Sequence, residues 1–355
     1  MKNAFSFLAA LSALLCLAAC NRQNLDVTPS TDGGTTLLTL KVGNMAATKA
    51  GDQSTNDVTI NSVQVFVFNK DTGQLDNCKK ENFPAVTSGC QLSPIECTVG
   101  EKEIWAVVNW PVDLTSAAEN ILTLSDFKSH TAVLADNRLD NLLMSGYIES
   151  KSLKAGTDAA TIDVTRLCAA VVLSQVTNRI EVAAYRDKFQ VVGAYLMNVP
   201  GVQRVDGTIL ASGADCPKPS AWYAWYKKAT TSEPQELLAE TFLPAPPKTA
   251  YGESYGVFHT FYTFANDLNY ISGGTADGGL KSSTYLVLEC KVDGVDCIYP
   301  VVLPSMERNK KYNVKLTVNH VGGDPTRPWE KIQHSSFTPS ISITSWGSQD
   351  VEETI

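Results

Sequence analysis

Cys20 is the residue with the clearest chemistry. It follows Leu17-Ala18-Ala19, a pattern that fits the narrow pocket of a lipoprotein signal peptidase, and its thiol is the atom that would accept a diacylglycerol. Lys2 supplies a charged start, and residues 4–19 are apolar except for Ser6 and Ser12. That run is shorter than the about 20 apolar residues of a spanning helix and has the length and flanks of a cleavable signal. Cys16 is a poorer acceptor, because bulky Leu15 precedes it. Each buried methylene of a lipid chain adds about 0.8 kcal/mol, so an acylated Cys20 is expected to hold the chain on a membrane. No second long apolar run follows, which leaves the lipid as the expected anchor.

Seven further cysteines follow: Cys78, Cys90, Cys97, Cys168, Cys216, Cys290 and Cys297. Export permits disulfides, and an odd number leaves at least one thiol free. Cys290 and Cys297 flank Val292-Asp293-Gly294-Val295. A two-residue turn on Asp293-Gly294 places them opposite each other and makes them the best candidate pair for a disulfide. Cys90 and Cys97 share that spacing without so clear a turn. Zinc needs tightly spaced ligand pairs. These gaps and four scattered histidines do not supply them, so no metal site is expected.

Two other patterns carry possible chemistry. Gly252-Glu253-Ser254-Tyr255-Gly256 has the spacing of a nucleophile elbow, with His320 and His334 downstream. The elbow works on a sharp turn from a strand into a helix. Here Pro244, Pro246 and Pro247 precede it and an aromatic, strand-like stretch follows, so the reading is a plain turn. Trp222, Tyr223, Trp225 and Tyr226 form one aromatic cluster; Phe258, Phe261, Tyr262 and Phe264 form another. Exposed rings stack on sugars, but aromatics also fill cores, and packing is the expected use. No catalytic residue and no cofactor is expected.

The elements that must position these groups read as strands. Of 355 residues, 44% are hydrophobic and 19% charged, which describes a folded chain. A net charge of −8 argues against nucleic acid and against an anionic lipid surface as partner. Residues 21–35 are polar and read as a tether. In 36–42, Leu38, Leu40 and Val42 share one face, with Thr39 and Lys41 on the other. Strands are also expected at 58–69, 103–109, 169–176, 191–197, 285–290, 298–303, 312–318 and 340–346. One helix is expected, capped by Ser125-Asp126 and running to about Leu134. Residues 273–279 read as a flexible glycine-rich loop. Many short strands imply an all-β protein of two antiparallel β-sandwiches with few short helices. The expected division is a signal at 1–19, a propeptide with the first strand at 20–49, and sandwiches at 50–160 and 161–355.

The order of several pieces resembles the fimbrillins, subunits of the type V pili of Gram-negative oral and gut anaerobes. The pieces are the cysteine motif at Cys20 and the first strand with its basic loop ending at Lys49. They continue with Val63-Gln64-Val65-Phe66-Val67-Phe68-Asn69, then Cys97-Thr98-Val99-Gly100 leading to Ala106-Val107-Val108-Asn109. Leu124-Ser125-Asp126-Phe127-Lys128 and Leu142-Leu143-Met144-Ser145 come next. The most specific are Tyr299-Pro300-Val301 and Glu307-Arg308-Asn309 running into Tyr312, with a terminal strand ending at Trp346. The resemblance implies transthyretin-like sandwiches and a particular assembly. The precursor, lipidated on Cys20, is carried to the outer membrane, and a trypsin-like protease then cuts Lys49-Ala50. Loss of the first strand leaves a groove that takes a strand from the C-terminal end of another fimbrial subunit. Ile341, Ile343, Trp346 and Val351 mark that donor region. The family often has arginine where Lys49 stands. The implied function is a structural, non-enzymatic subunit of a surface fimbrium supporting adhesion and biofilm formation, with a stalk role somewhat favoured over a tip role. The alternative is a monomeric surface lipoprotein that binds glycan or protein and keeps residues 20–49.

Overall fold

Alternating apolar residues make this chain a succession of strands. The computed structural model describes residues 34–44, 59–116, 120–197, 199–208, 222–223, 235–242, 246–266, 284–326, 337–345 and 353–354. The first lobe opens with β1 (Thr35–Asn44), β2 (Ile60–Asn69), β3 (Leu75–Val86), β4 (Cys90–Gln91), β5 (Ile95–Thr98) and β6 (Gly100–Val108). A helix α1 (Leu124–Ser129), β7 (Thr131–Val133), β8 (Met144–Leu153) and β9 (Gly156–Arg166) complete it. The second lobe runs through β10 (Cys168–Asn178), β11 (Phe189–Met197), β12 (Val199–Pro200), β13 (Val202–Arg204) and β14 (Trp222–Tyr223). It continues with α2 (Gln235–Leu238), β15 (Ala239–Thr241), β16 (Ser254–Phe264), β17 (Tyr285–Val292) and β18 (Val295–Val302). Its last strands are β19 (Lys310–Val318), β20 (Phe337–Ser345) and β21 (Glu353–Thr354).

The first lobe is one sheet bent onto itself, in the order β3-β2-β6-β8-β9-β1-β4, with β5 also on β1. The bend sits where β8 meets β9 through two residue pairs only, Met144 with Arg166 and Ser145 with Thr165. Gly146 allows it: a Cβ there would stand 2.1 Å from the Asp163 carbonyl oxygen. Between the two layers lie Leu38, Leu40, Val42, Val63, Val65, Ile104 and Val164. β2 is buried on both faces. Its valines point into this core, while Phe66 and Phe68 pack at a tilt against Phe127 of α1, with ring centroids 4.7 and 5.7 Å away.

The second lobe packs the sheet β16-β10-β19-β20-β21 against β15-β11-β17-β18. Val171 and Leu173 meet Leu286, Leu288 and Val314 in its core. The same apolar cluster reaches Phe66 and Phe127, so the described residues from Thr35 onward form one compact unit.

The all-β, sandwich architecture is the expected one, with two differences. The sheets are mixed rather than antiparallel: β1 runs parallel to β9, and β10 parallel to β19. The helix is shorter than expected and is capped by Thr123, not by Ser125-Asp126. Thr123 Oγ1 accepts from Asp126 N at 3.2 Å while Asp126 Oδ2 accepts from Thr123 N at 2.9 Å, a reciprocal capping box. It stops at Ser129 because β-branched Thr131 and Val133 pair as a strand with β13 of the other lobe. The expected boundary at residue 160 lies inside β9, and the sheets change over at Leu167.

Candidate functional site: a strand slot in the first sandwich

β1 is the element that could leave and be replaced. Its alternation is as expected: Leu38, Leu40 and Val42 are fully buried, while Lys41 is exposed and Thr39 half-buried. Each buried aliphatic side chain stabilises by roughly 1.5–3 kcal/mol, so an empty slot strongly favours refilling. Both edges of β1 are paired. On one side β9 runs parallel to it, from Thr36 opposite Gly156 to Asn44 opposite Val164. On the other side β5 pairs antiparallel at residues 35–38 and β4 at residues 41–42. Between them Leu92 N donates to Leu40 O at 2.9 Å.

The β4–β5 rail therefore shares its ladder with β1 and would lose it if β1 left. Side chains from β3 and β6 hold it instead. Asp76 accepts from Thr98 N and Thr98 Oγ1, each at 2.9 Å. Asn77 Nδ2 donates to Glu96 O at 2.6 Å. Lys79 Nζ donates to Ser93 O and Pro94 O at 3.1 Å, and Glu81 Oε2 accepts from Ser93 Oγ at 2.8 Å. Beneath them Lys102 Nζ pairs with Asp76 Oδ2 at 2.9 Å and donates to Thr98 Oγ1 at 2.6 Å and to Asn69 Oδ1. These fastenings reach β3 and β6 without passing through β1.

Two thiols bracket the slot. Cys97 faces Thr36 and Cys90 faces Val42. Burial pushes the Cys97 thiol up to about 12 and Cys90 to about 11, helped by Asp76 and Glu81 respectively. Six residues of extended β1 span about 20 Å, far beyond disulfide reach, so these two cannot bond to each other in this fold. Thr36 Oγ1 is buried and makes no hydrogen bond to any described residue.

The other expected sites fall elsewhere. Cys20, Lys49, Ala50, Trp346 and Val351 lie outside the described residues. Ile341 and Ile343 sit on β20 in the chain's own second sheet, opposite Val314 and Tyr312. Ile341 is buried and Ile343 packs on the same core. Cys290 and Cys297 face each other across the β17–β18 hairpin and stand there as thiols, not as a disulfide. Ser254 opens strand β16 after a turn at Gly252, and its hydroxyl meets Gln175 Nε2 and Thr177 Oγ1 at 2.8 Å. No helix follows, so this is not an elbow. Phe261, Tyr262 and Phe264 are core residues, as expected.

Residues 36–186, from the second residue of β1 onward, match the sequence profile of the major fimbrial subunit protein (FimA) family. Over that stretch the chain is similar to the fimbrillin family. No curated protein sequence matches the chain. Three of the solved structures that share the fold of this chain are fimbrial proteins. A fimbrilin (fimA) from Porphyromonas gingivalis W83 has 16% identity and a TM-score of 0.60, covering 88% of this chain and 98% of that one. The tip fimbrial protein Mfa3 from Porphyromonas gingivalis has 12% identity and a TM-score of 0.52, covering 88% and 100%. A fimbrial assembly protein from Parabacteroides distasonis ATCC 8503 has 14% identity and a TM-score of 0.50, covering 91% and 99%.

Proposed function

We propose that this protein is a fimbrillin, a structural subunit of a type V fimbrium, and polymerises by strand exchange. The observation that carries the reading is β1: one segment, paired along both edges, whose rails have fastenings of their own. A lipid on Cys20 holds the precursor at the outer membrane. A trypsin-like protease cuts between Lys49 and Ala50, beyond Asn44 where β1 ends. Lipid and β1 leave together. Residues from 335–355 of another subunit then enter, with Ile341, Ile343, Trp346 and Val351 as inserted side chains. Ladder hydrogen bonds give affinity, and the places of Leu38, Leu40 and Val42 select alternate side chains. A subunit that both receives and donates a strand belongs in the stalk, and the fibre serves adhesion and biofilm formation without catalysis.

Mass spectrometry of the N-terminus of the surface-displayed protein tests this. The expected mature chain begins at Ala50, and Lys49→Ala is expected to leave lipidated monomers. SDS-resistant ladders from uncleaved Lys49→Ala protein would sink the reading. The embedding of Ile341 and Ile343 in β20 favours a second reading, a monomeric surface lipoprotein that binds glycan or protein. That protein would keep residues 20–49.

A further inference from the structure

Arg308 stands in the turn before β19, and its guanidinium crosses from the second lobe into the first. Nη2 donates to Ser145 O and Oγ at 3.2 and 3.1 Å, and to Thr165 O and Oγ1 at 2.9 and 2.8 Å. Nε donates to Arg166 O at 3.2 Å and Nη1 to Asp206 O at 3.1 Å. Ser145 and Thr165 are the facing pair at the bend where β8 becomes β9. One residue further back, Val164 is the last partner of β1. The neighbouring residue strengthens the joint: Arg166 Nη1 donates to Asn309 Oδ1 at 3.2 Å, and Asn309 N to Cys168 O at 2.8 Å.

These acceptors are neutral oxygens, and among the described residues no carboxylate forms an ion pair with Arg308. Burial lowers its pKa to about 10, still far above neutral, so the cation is retained. A planar fork with fixed donors suits several carbonyls at once, whereas an ammonium is a point charge. Gly207 makes the room: a Cβ there would stand 2.0 Å from Nη1.

We infer that Arg308 is a positioning residue that locks the bent end of the slot's β9 rail to the second sandwich. The same turn leads into β19, which pairs with β20 from Lys310 opposite Ser345. In a fibre the lock would therefore fix slot and tail in one geometry. Only that consequence rests on the fimbrial reading; the lock is a property of the monomer.

Gly207 and Gly294 give a matched test. Their φ values are +80° and +82°, so alanine strains both backbones alike, yet nothing lies within 4 Å of a Cβ at Gly294. Hydrogen exchange on the full-length purified chain reads the result. Gly207→Ala should speed exchange at residues 145 and 165 by about tenfold relative to Gly294→Ala, while residues near Gly156 keep their rates. Arg308→Lys should do the same to a smaller degree, which covers the case in which Gly207→Ala does not fold. Equal rates in Gly207→Ala and Gly294→Ala, or wild-type rates in Arg308→Lys, would overturn the lock. Because the monomer is measured, failure of fimbrial assembly leaves this outcome unaffected.

Discussion

Lys102 Nζ lies 2.9 Å from Asp76 Oδ2, with the two side chains 0% and 4% exposed. The pair joins β6 to β3 and, through Thr98, to the outer rail of the slot. Removing one partner of a buried pair strands the other charge and costs about 3–5 kcal/mol. Lys102→Met is therefore expected to be strongly destabilising in urea unfolding. Adding Asp76→Leu should recover part of the loss, since apolar replacement of both partners is often near neutral. A Lys102→Met cost below about 1 kcal/mol would mean that the carboxylate finds water, contrary to the burial described.

Thr36 offers the opposite sign. Its hydroxyl is buried in the slot without a hydrogen-bond partner among the described residues. An unmade hydrogen bond on a buried group costs about 1–3 kcal/mol, so Thr36→Val should stabilise by roughly 1 kcal/mol. Leu40→Ala at the centre of the same strand should cost about 2–5 kcal/mol by opening a cavity. Denaturant midpoints in the full chain measure both, and a destabilised Thr36→Val would contradict the unsatisfied hydroxyl.

His259 gives a pH dependence. Its pKa is held below the usual value of 6.5, first by burial, with Glu240 at 3.6 Å opposing. Nε2 has no hydrogen-bond partner among the described residues. The folded chain thus refuses a proton that the unfolded chain accepts. Stability should fall as the pH drops from about 6.5 towards the depressed folded value, and this residue contributes nothing above that window. Thermal melts between pH 7.5 and 5.5 should show a smaller acid loss in His259→Asn, and parallel loss in both proteins would remove His259 from the account.

Cys290 and Cys297 are placed to bond though they stand as thiols. We expect oxidation to join them at little gain in stability, because the closed loop is short. Non-reducing peptide mapping of the exported protein checks this, and two free thiols there would end the proposal.

What was legible in the sequence follows from where the information sits. Leu38, Leu40 and Val42 announce β1, and Tyr312, Val314 and Leu316 announce β19, because inward and outward residues alternate locally. β3 carries Lys79, Lys80 and Glu81 as an edge strand whose charges tether the rail, so it has no apolar rhythm to read. β9 begins Gly156-Thr157-Asp158-Ala159-Ala160, which resembles a linker; its strand comes from pairing with β1, more than a hundred residues earlier. The parallel direction of that pairing has no local signature. Arg308 read as part of a family motif, and its partners Ser145 and Thr165 lie 163 and 143 positions away. The slot was foreseeable from alternation; its fastenings and its lock were not.

The two slot thiols should report whether β1 is in place. Cys97 faces Thr36 and is 2% exposed, and its reactivity is suppressed because burial raises its pKa to about 12. Thiolate, not thiol, is the nucleophile, so a buried Cys97 should resist maleimide in the precursor. Cutting the full chain after Lys49 and releasing β1 should hydrate Cys97 and Cys90 together, bringing both pKa values back towards the ordinary range. Labelling of both should then rise, while Cys168 and Cys290, buried in contacts that do not involve β1, should stay protected. Addition of a peptide spanning 335–355 should restore protection if the slot takes that segment. Mass spectrometry of labelled peptides measures all four cysteines at once. Labelling of Cys97 before the cut, or its protection after β1 has been released without a replacement strand, would show that β1 does not close the slot.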